Sequence, residues 1–119
     1  MVEFAFAISI LLALVFGIIE FAWVLHGHIT LTGAVREGAR IAVVGDHSGN
    51  DEATVKSEAK DAVIKHARIF NLLPGDIEVT PGIYGENTVV EVEEAELPLL
   101  IGIIPSITLR NYSASMMHE

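Results

Sequence analysis

The chain has 119 residues, a formal net charge of −9 and no cysteine. That length allows one domain, or one domain with a tail. The charge argues against nucleic-acid binding and against peripheral attachment to anionic lipid through a basic face, and the missing cysteine excludes disulfides and thiolate chemistry.

Residues 2–44 run without a proline and read as one helix, about 65 Å long at roughly 1.5 Å per residue. Such a helix is too long to be the core of so small a protein, so part of it must pack against something outside its own chain. Residues 4–19 carry no charge, and Glu20 alone interrupts the apolar run before His26-Gly27-His28. A run near 20 residues is enough to span a bilayer. A secretory signal peptide would be shorter and would begin with Lys or Arg. Here Glu3 is the only charge near the start. The expectation is that an upstream leader has been removed; the alternative is a sequence that begins inside a longer precursor.

Within the run, Ala5, Ser9, Ala13 and Gly17 recur every four residues and form a narrow stripe of small side chains. This is the small-xxx-small arrangement that lets helices approach closely in lipid; the plainer reading is small residues tolerated in a membrane helix. Opposite stand the bulky Phe4, Ile8, Leu11, Leu12, Val15 and Ile19.

Glu3 and Glu20 are costly in hydrocarbon unless paired. Seventeen positions separate them, about 100° around a helix, so they form no acid/base dyad. Glu3 has an α-amino group as its nearest partner, its own or a neighbour's, or it faces water at the interface. Glu20 is an intramembrane or filament-core charge, or it lies at the far membrane boundary.

Phe4, Phe6, Phe16, Phe21 and Trp23 read as a packing surface or interfacial belt rather than an electron path. His26 and His28 diverge by about 160° on a helix and cannot chelate one metal.

From Ile29 the helix turns amphipathic. Leu31, Ala34, Val35, Ala39, Ile41, Ala42 and Val43 join Ile29 in the apolar surface, against Arg36, Glu37 and Arg40. Gly33 and Gly38 cost helix propensity and suit close packing. Gly45-Asp46 is the predicted stop.

A loop at 46–50 precedes a second helix, capped by Ser48 or Asn50, with Asp51 and Glu52 at its positive end. Ala59, Ala62, Val63, His66, Phe70 and Leu73 form its apolar stripe, with His66 read as a semi-buried core residue. Pro74-Gly75 ends it. Glu52–Lys56 and Asp61–Lys65 have favourable i, i+4 spacing.

Ile77, Val79 and Ile83 begin a strand. Residues 85–87 make a turn, and Thr88–Leu97 form the return strand, with a bulge or the end of pairing at Glu93-Glu94. Glu91, Glu93, Glu94 and Glu96 read as a solvated face; a hard cation is the alternative, without calcium-loop spacing. Leu97–Pro105 is an apolar loop over the core or a patch that meets a partner. Ile107, Leu109 and Asn111 alternate with Thr108, Arg110 and Tyr112 in a third strand, and a polar tail runs to Glu119. The fold class is α+β: a long N-terminal hydrophobic helix, then a small domain with one helix and a short antiparallel sheet.

No nucleophile elbow, zinc-protease helix or phosphate loop occurs. The expectation is no enzyme, no cofactor, no metal and no nucleic-acid partner.

A near-N-terminal Glu3-Phe4 leading an apolar helix, then FGIIEFAWVL (16–25) and REGARIAVVGD (36–46), resembles the TadE-like proteins of tight-adherence pili, relatives of type IV pilins. The resemblance is specific over residues 2–46; beyond them only the helix-then-strands order fits. It implies cleavage by a prepilin peptidase, storage in the cytoplasmic membrane, and assembly by the pilus-assembly machinery into an extracellular, adhesive helical filament of identical subunits. Residues 1–45 would span the lipid bilayer before assembly and line the filament core after it, leaving 46–119 as a small acidic surface domain. In type IV pilins generally, a glutamate at the fifth mature position pairs with a neighbour's N-terminal amine and sets register. Glu3 is the matching residue, here third. The expected function is a structural pilus subunit. The alternatives are a minor pilin, a membrane-anchored assembly protein that does not polymerise, and an ion-binding or receptor-like domain on an anchor.

Overall fold

The computed structural model describes residues 1–80, 87–100 and 106–117, without the side chains of Asp46, His47 and Met117. Helix α1 (Val2–His47) is followed by α2 (Glu52–His66), two 3₁₀ turns (Arg68–Phe70 and Pro74–Asp76), and strands β1 (Ile77–Thr80), β2 (Asn87–Pro98) and β3 (Ser106–Met117). The strands form an antiparallel sheet in the order β1-β2-β3. This is the α+β, pilin-like layout expected. Residue 83, residues 85–86 of the turn, and 101–105 of the apolar run lie outside the described residues.

α1 continues past Gly45, where the sequence predicted a stop. Gly45 is buried, and a Cβ there would lie 3.0 Å from Val55, so this glycine serves helix packing rather than termination. The helix closes when Ser48 donates from its N–H and its hydroxyl to the Val44 carbonyl (3.2 and 3.1 Å). Gly49 then turns the chain at φ 71°, a conformation glycine adopts without a Cβ penalty.

α2 starts at Asp51, whose carbonyl accepts from Thr54 and Val55 N–H (2.9 and 3.1 Å). No side-chain cap forms, from Ser48, Asn50 or Asp51. Its inward face is Val55, Ala59, Ala62 and Val63. The helix ends at His66, well before Pro74-Gly75. Phe70 therefore reaches the core from a 3₁₀ turn, and Asn71 at φ 47° reverses the chain. That reversal buries Leu72 and leaves Leu73 66% exposed, the opposite of the predicted stripe. His66 is exposed too, donating from Nδ1 to the Ala62 carbonyl of its own helix. Glu52 pairs with Lys56 at 2.6 Å, whereas Asp61 and Lys65 do not pair.

The helices cover one face of the sheet. Leu31, Ala34, Val35, Ala39 and Ala42 of α1 meet Val55, Ala59 and Val63 of α2 and Ile77, Val90, Val92 and Leu97 of the sheet in one core. Glycine sets how close the layers come. A Cβ on Gly38 would lie 2.5 Å from a Val63 methyl and 3.2 Å from the Ala59 carbonyl oxygen. One on Gly27 would lie 2.7 Å from Leu97 and 3.3 Å from Phe70. Ile29 is 63% exposed, on the outer side with Arg36 and Arg40, so the apolar surface read from sequence is only partly the core face.

The break at Glu93-Glu94 is real but is not a two-against-one bulge. The ladder pairs Val92 with Tyr112 and then Glu94 with Arg110, leaving Glu93 and Asn111 between them. Asn111 sits in the left-handed region at φ 59°. Each strand thus skips once at the same level. Register is kept, while the inward set moves from Thr88, Val90 and Val92 to Ala95 and Leu97. On β3 the same shift turns Tyr112 inward in place of Asn111, and the strand runs on to Met117, into the predicted polar tail.

Candidate assembly and membrane surface

The first half of α1 is apolar on every side and is almost uncovered by the described residues. Residues 2–19 are exposed throughout, and an 18-residue window has a mean hydropathy of 2.6 with none of it buried. A soluble protein does not leave so much contiguous apolar surface in water. The helix forms because its backbone groups are satisfied within the segment, as hydrocarbon requires. Ser9 completes this by donating its hydroxyl to the Ala5 carbonyl at 2.9 Å, so its polar group is satisfied on the stripe itself.

Ala5, Ser9, Ala13 and Gly17 are open to the outside, and a Cβ on Gly17 would meet nothing within 4 Å. Glu3 lies exposed in the first turn, where the helix dipole favours a carboxylate. Glu20 is half-buried near the point where the chain's own contacts begin.

Those contacts form a collar. The Trp23 indole N–H donates to the Pro98 carbonyl at 2.9 Å, and the Trp23 and His26 rings lie 6.0 Å apart. One turn on, His28 Nδ1 hydrogen-bonds the Tyr112 hydroxyl, the two rings meeting edge to face with centroids 5.2 Å apart. Burial pushes the Tyr112 hydroxyl above the usual tyrosine range, because the phenolate loses hydration. His26 and His28 thus face different partners, as their spacing required. Sequence reasoning missed both ties. A tryptophan at the edge of an apolar run signals the first, since a partly buried indole N–H seeks an acceptor, but nothing local identifies Pro98, 75 residues away.

The globular part offers shallower features. A groove of about 520 Å³ lies beside the stretch of β2 that β1 leaves unpaired, lined by Phe70, Leu72, Asp76, Glu94 and Glu96 among others. Glu94 is bridged by Arg110 at 3.0 Å, and Asp76 accepts the Leu73 N–H at 2.9 Å. Among the described residues no three His, Asp or Glu side chains converge as a metal site would need.

The family model described as TadE-like protein matches residues 1–40, the stretch that carries the resemblance read from sequence. It covers α1 up to Arg40, that is, the exposed apolar half and much of the docked half. No curated protein and no solved structure shows significant similarity to the chain.

Proposed function

We propose that this chain is a structural subunit of a tight-adherence-type pilus, held in the cytoplasmic membrane by α1 and polymerised through it into an extracellular filament. One observation carries the reading: an apolar half-helix that its own domain leaves bare. Lipid covers that surface before assembly and the helices of other copies cover it afterwards, so burial is kept when the subunit leaves the bilayer. The TadE-like match over the same residues supports a role in such a pilus.

In this reading Ala5, Ser9, Ala13 and Gly17 admit a neighbouring helix, and Glu3 pairs with an N-terminal amine and fixes axial register. Losing one partner of a buried pair costs about 3–5 kcal/mol. Glu3→Ala therefore abolishes filament growth while the circular dichroism and melting of the globular part stay unchanged. Normal filament yield from that variant would remove the register role.

The primary test is electron microscopy of the sheared extracellular fraction, with mass spectrometry of its contents. This chain dominating thin filaments supports the structural role. Filaments made mainly of another protein make it a minor or assembly component, and retention in the membrane ends the polymer reading.

A further inference from the structure

The collar sets the level at which the globular part meets the end of the apolar helix. The twenty residues from Val2 to Phe21 rise about 30 Å, which is about the thickness of the hydrocarbon layer. Trp23 then stands at the boundary, the depth tryptophan favours. Its hydrogen bond to the Pro98 carbonyl holds the end of β2 at the same depth. Leu99 and Leu100 follow directly, half-buried and 58% exposed. Leu25, on α1, is exposed at nearly the same height. The sequence continues apolar through residues 101–104, IGII, outside the described residues.

We infer that Leu99 and Leu100 form a second membrane contact, entering the interface of the bilayer and seating the globular part on it while the subunit is stored. The inference rests on the membrane-held reading above. The occupant is lipid rather than a second copy because the Trp23–Pro98 hydrogen bond ties the start of the patch to the end of the exposed apolar helix, whereas Glu94 and Glu96, further back on β2, are exposed carboxylates that belong in water. Burial of each leucine at the interface adds to anchoring in proportion to the apolar area covered. The contact also fixes the tilt of the globular part, since α1 alone leaves the domain free to lean.

The chain supplies its own probes: one tryptophan, Trp23, and no native cysteine. The full chain is reconstituted in phosphatidylcholine vesicles with an environment-sensitive fluorophore on Leu100→Cys. Ser113→Cys, on the exposed sheet face, is the comparison. Trp23 quenching by brominated lipid reports helix insertion separately. The expected result is Trp23 quenched, with the label at 100 shifted to the blue and losing iodide quenching, while the label at 113 stays red and quenchable. Trp23 quenched with position 100 as water-accessible as 113 overturns the contact and leaves the membrane reading standing. A blue shift that vanishes on diluting the protein in lipid assigns the patch to a second copy and likewise overturns it. Unquenched Trp23 removes the membrane reading and this inference with it.

Discussion

The two halves of α1 are one continuous helix built on opposite principles. Past Trp23 three of its four glycines are occupied, Gly27 by Leu97 and Phe70, Gly38 by Val63 and Gly45 by Val55, while Gly33 stays open; Ala34, Ala39 and Ala42 are buried. Before Trp23 the same kinds of residue recur at Ala5, Ser9, Ala13 and Gly17, all exposed, and among the described residues nothing lies within 4 Å of a Cβ built on Gly17. Small residues therefore mark close approach only where a partner is present. The docked half shows what such a lane does; the free half presents the same kind of lane uncovered by the described residues.

Substitutions in the two halves sharpen this contrast. Leu97→Ala, which empties a fully buried site against Gly27, should cost about 2–5 kcal/mol of the stability of the globular part. Urea unfolding of the full chain in mild detergent measures it. Leu11→Ala in the free half should leave that stability within about 0.5 kcal/mol and act, if anywhere, on assembly. An equal loss from both would erase the distinction between the halves.

Glycine gives the sharper version because one substitution should change sign. Gly38→Ala drives a methyl into Val63 and the Ala59 carbonyl and should destabilise by about 1–3 kcal/mol. Gly33→Ala, where a Cβ meets nothing within 4 Å, should stabilise by up to about 1 kcal/mol through helix propensity. Paired thermal melts decide this, and a stabilised Gly38→Ala would refute the close packing.

The smallest effect concerns the collar. Tyr112 has its folded-state pKa raised by burial, so the protonated hydroxyl is the form the fold favours. Its contribution is complete below the unfolded tyrosine pKa, about 10, and is lost as pH rises through the higher folded value. Tyr112→Phe should remove this alkaline step from the stability profile. A step that persists in the variant belongs to another group.

Much of the fold is legible locally. The proline-free apolar run gives α1, the Val-Glu alternation gives β2 within a residue at each end, and Ile77-Val79 gives β1. The errors cluster where a local pattern continues past the element that carries it. Leu73 extends the α2 period on paper, yet the left-handed Asn71 has already turned the chain and buried Leu72. Asn111 fits the alternation of β3, yet it occupies the level at which both strands skip, so Tyr112 faces inward. Of the candidate surface, the apolar half-helix was readable from its uncharged run. The collar was not, because Trp23–Pro98 and His28–Tyr112 join residues 75 and 84 positions apart.

By itself the sequence determined that this protein carries one long helix whose first half its own domain cannot cover. Apolar surface scales with composition, and some 75 mostly polar residues offer too little matching area. Only the tertiary structure decided which face of α1 is docked and at what height the sheet meets it. Those outcomes depend on glycine-gated approach between layers and on hydrogen bonds between distant segments, neither of which has a period to read.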